Sequence, residues 1–243
     1  MLLSNHKLEV SVVLPSYNEA ATLPKTLNNL SSFLEKLNKK YEIIVSDDGS
    51  TDSTFSLDWT NYHNQFRVKY IRNEKKAGKG AALRQGLLAC CGRYIFFTDA
   101  DLPIDLEALA RGLFLLENNE TDIVIGDRKL PESKAVGSAH QSRFIASMLF
   151  NIGVQLLFVP GYTDTQCPMK GFTKEALTKV LLASFLISYA FDAELLYLAT
   201  LYGMRIKRIP VFWKDVRGYI PLIRLTYIVV SCLKDLILVR FTI

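Results

Sequence analysis

The sequence predicts an α/β fold: a mainly parallel sheet with helices on both faces. Two observations carry that reading. Short apolar runs alternate with segments of helical periodicity over the first two-thirds of the chain, which is the pattern of strands joined by crossover helices. Polar clusters rich in Asp, Asn and Gly stand just after several of those runs, where an open α/β sheet places its ligands. The 243 residues are 49% hydrophobic and 22% charged, a globular balance with enough chain for a full core and no sign of disorder.

Residues 10–14 (VSVVL) read as a buried strand. Leu23, Leu27, Leu30, Phe33, Leu34 and Leu37 then recur at helical spacing, with Pro24 suited to the first turn. Residues 42–46 (EIIVS) form the second strand. Asp47-Asp48-Gly49-Ser50 follows as a loop, and Asp52 or Ser53 is placed to cap a short helix. The third strand is 68–71, and Gly78-Lys79-Gly80 opens a helix through about Cys90. Residues 94–98 (YIFFT) are the fourth strand and end at Asp99-Ala100-Asp101. A helix over about 105–116 and a fifth strand at 122–126 complete this part. The last third predicts a helix at 141–157, a polar loop at 163–170, a helix at 191–202 and a strand at 205–211.

Several classes are excluded. The four cysteines include one adjacent pair but no CxxC, so neither a disulfide framework nor a thiol zinc site is expected. His6, His63 and His140 fit no metal spacing and read as surface residues. No GxGxxG follows the first strand, which disfavours a dinucleotide dehydrogenase. The net charge of +5 is too diffuse for nucleic acid. Residues 1–7 lack the apolar core of a secretory leader, and no run reaches the roughly 18 apolar residues of a clear membrane span.

The chemistry sits at strand ends. Asp99 and Asp101 repel one another unless a cation joins them. A hard divalent ion that also takes diphosphate oxygens suits two carboxylates. Each cluster alone has an ordinary reading, since Asp caps helices and Asp-Gly-Ser makes turns. Their joint placement, in order, is the informative feature.

Pro15-Ser-Tyr-Asn-Glu19, Asp47-Asp48-Gly49-Ser50-Thr51-Asp52-Ser53-Thr54, Gly78-Lys79-Gly80 and Asp99-Ala100-Asp101 together resemble glycosyltransferase family two, with its Rossmann-like GT-A fold. Gly126-Asp127-Arg128, Gln141-Ser142-Arg143 with Ser147, Asp164-Thr165-Gln166-Cys167 and Phe191-Asp192-Ala193-Glu194 are similar to its polyprenyl-phosphate branch. That branch includes the glucosyl- and mannosyltransferases acting on dolichyl phosphate. The resemblance spans roughly residues 10–213.

It implies an inverting hexosyltransferase that takes a nucleotide sugar, with UDP-glucose favoured, and a polyprenyl or dolichyl phosphate. Pro15, Tyr17, Asn18 and Glu19 would line the nucleotide pocket, Asp48 would contact the base with Asp47 in the same region, and Lys79 would lie near the nucleotide. Asp99 would lie by ribose and diphosphate, and with Asp101 would form the site for Mg²⁺ or Mn²⁺. Arg128, Arg143 and Ser147 would bind the acceptor phosphate, with Lys170 a weaker candidate. Asp164 is the candidate carboxylate near the sugar, either as base or to orient a hydroxyl. Asp192 and Glu194 are its rivals, and Asp192 also reads as a helix cap. One departure from the pattern is Pro103, where mannose synthases often carry a further metal-ligating Gln.

Residues 1–213 read as the catalytic domain and 214–243 as a membrane-associating segment. On a helix over 222–241, Arg224, Tyr227, Ser231, Lys234 and Asp235 share one stripe, and apolar residues fill the rest. An interfacial helix lying on the membrane is expected, with a core-packed helix as the alternative. The expected location is the cytoplasmic face of a membrane, leaning towards a bacterial plasma membrane over the endoplasmic reticulum. Two rival functions remain: the same fold acting on a soluble glycan or protein, and a non-catalytic nucleotide-sugar-binding protein.

Overall fold

The computed structural model describes residues 8–136, 154, 161–214 and 222–242, with backbone alone for 222–229. A seven-stranded sheet runs in the order β3-β2-β1-β4-β7-β5-β8. Its strands are β1 (Val10–Ser16), β2 (Tyr41–Asp47), β3 (Val68–Arg72), β4 (Tyr94–Thr98), β5 (Ile123–Asp127), β7 (Met169–Thr173) and β8 (Ile206–Pro210). All neighbouring strands are parallel except β7, which runs antiparallel to both β4 and β5. A separate parallel pair joins β6 (Lys134–Val136) to β9 (Phe212–Lys214).

The two-residue period of the strands divides the core into two layers. Val10, Val12 and Leu14 of β1, with Tyr94 and Phe96 of β4, face α1 (Leu23–Lys36) and α4 (Leu106–Glu117). Val13, Ile95 and Phe97 face the opposite way. There they meet α3 (Lys79–Leu88), α5 (Lys174–Ala183), α6 (Phe191–Leu201) and α7 (Leu222–Thr242). Strands covered on both sides read as unbroken apolar runs, which is why β1 and β4 were visible in the sequence.

The chain leaves β1 towards β2 and β3, then returns to the other side of β1 to form β4. The strand order reverses between β1 and β4, and such a reversal opens a crevice at the carboxyl ends of those strands. Pro15–Glu19 and Asp99–Asp101 stand there.

Several expectations are corrected. The polar loop at 163–170 gives way at Met169 to β7, and α5 follows where no helix was expected. As expected, Asp52 caps a short helix, the 3₁₀ turn Ser53–Ser56, by accepting from Thr54 N. The helix proper, α2 (Trp59–Phe66), is capped by Asp58. Asp192 is not a cap, since Ala190 holds that position. Of the helix expected at 141–157, Val154 alone is described, helical and buried, and Arg143 and Ser147 lie outside the described residues. So do the side chains of Arg224 and Tyr227.

The second half of α7 is seated on the protein. Cys232, Leu236 and Val239 are buried in the same cluster as α6, as the core-packed alternative had it, while Val230, Ile237, Leu238 and Phe241 remain exposed. Among the described residues no helix is long and apolar enough to cross a membrane.

Gly80 shows how tightly α3 meets the segment between α5 and α6. A Cβ there would stand 2.5 Å from Ser188 O and 2.6 Å from the Ile187 carbonyl carbon. Both are backbone atoms, so the clash forces a backbone shift. Gly80→Ala is expected to cost about 1–3 kcal/mol, read as a lower midpoint in chemical denaturation.

Candidate active site

The first two motifs brace one another. Asn18 sits in the left-handed region (φ 58°). Its Oδ1 accepts from Thr51 N at 2.8 Å and Asp52 N at 3.3 Å, and its own N donates to Ser50 Oγ at 2.8 Å. Glu19 N donates to Thr54 Oγ1 at 2.9 Å. The turn in the second motif needs Gly49, whose φ is +72°. Asp47 is wholly buried behind it, accepts from Ser50 N, Ser50 Oγ and Tyr70 OH (2.6 Å), and forms an ion pair with Arg72, whose Nε lies 3.3 Å away. Burial first, and then the Asp47 carboxylate, push the Tyr70 phenol upward.

A cleft of about 650 Å³ opens in front of these braces, at the β1/β4 reversal. Pro15, Tyr17, Glu19, Asp48, Asp99 and Asp101 line it, with Lys79 and Tyr189. Asp48 also anchors the opposite wall, accepting from Asn73 Nδ2 at 3.1 Å and from Ala77 N and Gly78 N at 2.8 Å each. Lys79 Nζ lies 2.7 Å from Asp99 Oδ1. The Lys76 ammonium sits 3.6 Å from the centroid of the Tyr17 ring, a close cation–π contact.

The donor set fits a hard divalent ion. Asp99 and Asp101 supply oxygen atoms at one strand end, and no cluster of three or more His, Cys, Asp or Glu surrounds them among the described residues. Mg²⁺ and Mn²⁺ bind in that way, through one or two carboxylates with phosphate oxygens and water completing the shell.

A second group lies past β5. Arg128 donates to Asp164 through N (3.1 Å), Nε (2.6 Å) and Nη2 (2.7 Å). Asp164 is 1% exposed. The Arg128 guanidinium also lies 5.4 Å from the Trp213 ring centroid. Burial opposes the charge on Asp164, but the Arg128 fork outweighs it and holds the carboxyl below the usual range. Burial likewise opposes the charge on Arg128, and Asp164 overcomes it, with Asp99 contributing. Asp99 and the Arg128–Asp164 pair therefore share one electrostatic neighbourhood.

A carboxylate held down by an arginine is a weak proton acceptor near neutral pH. It is well suited to fixing that arginine's direction. A depressed folded-state pKa contributes stability that is present above the unfolded value, about 3.9, and is lost as pH falls through the folded value. Asp164→Asn is expected to be less stable than the parent at pH 7, with the gap closing as pH drops below about 4. Denaturation midpoints across that range check it. A gap that does not change with pH would show that the Asp164 charge is not linked to folding.

The family model for Glycosyl transferase family 2 matches residues 11–181. The chain is 35% identical to the dolichyl-phosphate beta-glucosyltransferase of Homo sapiens over 223 residues, covering 86% of this chain and 68% of that one. This chain belongs to glycosyltransferase family 2. The Saccharomyces cerevisiae dolichyl-phosphate beta-glucosyltransferase is 32% identical, over 97% of this chain and 75% of the relative. The fold matches mannosyl-3-phosphoglycerate synthase from Rubrobacter xylanophilus with TM-score 0.68 at 21% identity, over 97% and 76% of the two chains. Glucosyl-3-phosphoglycerate synthase from Mycobacterium tuberculosis, in complex with Mn²⁺ and UDP-glucose, matches with TM-score 0.67 at 20% identity, over 96% and 79%.

In this family 2 glycosyltransferase the residues expected at the nucleotide pocket divide into two sets. Pro15, Tyr17, Glu19, Asp48, Lys79, Asp99 and Asp101 reach the cleft. Asn18 and Asp47 spend their oxygens behind it, holding the two motifs together. Arg128 and Asp164 are found together, while Arg143 and Ser147 lie outside the described residues. Lys170 is not available to a phosphate. It is fully buried, with Nζ 2.6 Å from Asp192 Oδ1 and 2.9 Å from Cys167 O. Glu194 is also buried, and it accepts from Phe185 N and Leu186 N. The internal roles of Lys170 and Asp192 had no sequence signal, because each depends on a partner 22 residues away.

Proposed function

We propose that this glycosyltransferase moves glucose from UDP-glucose to a polyprenyl phosphate of the dolichyl type, giving a β-linked lipid-phosphate sugar. The observation that supports this best is the grouping of Asp99, Asp101 and Lys79 in the switch-point cleft with Arg128 electrostatically close by. Relatives named for glucosyl transfer to dolichyl phosphate support the choice of sugar and acceptor.

The chemistry follows the charge. Departure of a nucleoside diphosphate builds negative charge on the leaving group. Asp99 and Asp101 would hold Mg²⁺ or Mn²⁺, which offsets that charge as a Lewis acid. Lys79 adds a cation at the same wall. A lipid monophosphate has a second pKa of about 6, so it is already nucleophilic at neutral pH and needs little help from a base. It does need to be held beside an anionic donor. Arg128 fits that task, because Asp164 takes its Nε and Nη2 sides and leaves Nη1 to meet a phosphate oxygen. Arg143 and Ser147 are the further candidates for that phosphate. A single displacement inverts the anomeric centre. Such an acceptor would bring the protein to a membrane surface, and the cytoplasmic face is the side we propose.

The test offers labelled UDP-glucose and GDP-mannose in parallel, with polyprenyl phosphate and Mg²⁺ or Mn²⁺, and counts label entering the organic phase. Label from UDP-glucose alone, lost with chelator, is expected. Label from GDP-mannose alone overturns the sugar, and label only on a water-soluble acceptor overturns the lipid.

A further inference from the structure

Residues 184–190 join α5 to α6 and carry an alternation that the catalytic reading leaves unused. Ser184, Leu186 and Ala190 are buried, whereas Phe185, Ile187 and Tyr189 are 39%, 51% and 50% exposed. Residues 184–187 run without helix or strand, 188 bends and 189–190 turn into α6, and this connection leaves the large apolar side chains at 185, 187 and 189 facing outward.

The exposure does not come from a lack of support. Buried Glu194 accepts from Phe185 N at 2.9 Å and Leu186 N at 3.1 Å. Arg84 Nη1 donates to Ser184 O at 2.8 Å and Ser184 Oγ at 2.7 Å. Ile187 O accepts from Ala81 N at 3.2 Å and presses on Gly78, where a Cβ would meet it at 2.8 Å. A segment fixed at this many points that still turns three large apolar side chains to water is held in that posture. Scattered surface hydrophobics are ordinary, but a row of them at the rim of a site is not.

The surroundings indicate what covers the row. Tyr189 lines the cleft, so the row is continuous with its mouth. Lys76 lines the same mouth, and both Lys75 and Lys76 are exposed. Large apolar side chains flanked by lysines are the chemistry that binds an anionic lipid surface, the former entering the acyl boundary and the latter meeting headgroups.

We infer that residues 185–189 form the edge by which the protein seats on an anionic phospholipid bilayer, with the cleft mouth against the headgroups. The purpose of that seating rests on the lipid-phosphate acceptor proposed above. It assigns the contact to a segment far from the carboxyl-terminal helix in sequence.

The experiment uses the full chain and vesicles of phosphatidylcholine with or without phosphatidylserine, containing neither donor nor acceptor. Failure here therefore leaves the transfer assay readable, and failure of that assay leaves this one readable. Sedimentation is expected to show binding to the phosphatidylserine vesicles. Binding should be at least ten-fold weaker for the double variant Phe185→Ser/Ile187→Ser, with melting temperature and UDP affinity unchanged. Ile237→Ser/Leu238→Ser on α7 is expected to keep most of the binding. Ile187→Trp, a variant that preserves an apolar side chain, should gain emission that brominated lipid quenches. The inference is overturned if Phe185→Ser/Ile187→Ser binds like the parent, if the α7 variant alone abolishes binding, or if the Ile187→Trp emission ignores the vesicles. Binding that appears only when polyprenyl phosphate is added also overturns it, and gives the row to the prenyl chain.

Discussion

Asp101→Ala is expected to lower the transfer rate by about 10²–10³-fold while leaving the melting temperature within a few degrees of the parent. The two halves of this expectation have separate causes. The rate is expected to fall because Asp101 is one of two carboxylates at the strand end that lines the cleft, where under the proposed mechanism the charge on the departing diphosphate would be offset. Losing a preorganised electrostatic contact of that kind costs about 3–4 kcal/mol in the transition state. Stability is expected to hold because Asp101 stands at the cleft and in neither apolar layer of the core. Rates, thermal melts and UDP binding in the presence and absence of Mn²⁺ check all of it. A variant with more than half of the parent rate would remove Asp101 from the metal role. A variant that unfolds would show that Asp101 holds the fold instead.

Lys79 bears on the same measurement. Its ammonium already lies 2.7 Å from Asp99, so the carboxylate is partly neutralised before any metal arrives. If Asp99 and Asp101 hold a divalent ion as proposed, Asp99 would be shared between that ion and Lys79, and Pro103 would offer no further ligand nearby in sequence. Diphosphate oxygens would then be needed to complete the shell, which is the usual condition for Mg²⁺.

Some parts of the molecule were legible in the sequence for a physical reason. Residues 10–14 and 94–98 are apolar throughout because helices cover the sheet on both sides, and Leu23 to Leu34 repeat at helical spacing because one face of α1 is buried. These are local signals. Strand β7 carries no strand signature of its own, because MKGFT has a charge and a glycine in five residues. Lys170 is tolerated there only because Asp192, on another element, lies 2.6 Å away. Gly171 is equally non-local, since a Cβ at that position would meet Phe96 side-chain atoms at 2.2–2.8 Å. At the site, motif order located the cleft but not the direction of each side chain. Asn18 and Asp47 stand in the same motifs as Tyr17 and Asp48, yet they point into the braces behind the wall. Asp164 and Arg128 were each visible as candidates, whereas their pairing needed the fold to bring together residues 36 apart.

The largest effect on stability is expected at Asp192. Its carboxylate stands 2.6 Å from Lys170 Nζ, and both side chains are almost wholly buried. Taking two charges out of water is expensive, and a buried pair gains only if its geometry repays that cost. Here the remaining valences are well used. Lys170 also donates to Cys167 O and lies 5.3 Å from the Phe97 ring centroid, and Asp192 sits in the first turn of α6, where the helix dipole favours an anion. Asp192→Ala leaves an uncompensated ammonium beneath β4 and β7, at an expected cost of about 3–5 kcal/mol. For a chain of this length that is a fall of roughly 6–20 °C in melting temperature. Asp192→Asn keeps an oxygen acceptor and should cost less. The double variant Lys170→Met/Asp192→Leu removes both charges and is expected to recover most of the loss, because an apolar pair of similar size carries no desolvation penalty. Activity separates two consequences of that repair. Lys170 also helps hold the Asp164 carboxyl down. If the stable double variant transfers sugar normally, the pair serves the core alone. If it is stable but slow, with its rate profile against pH shifted, Lys170 sets the electrostatics that keep Asp164 locked onto Arg128.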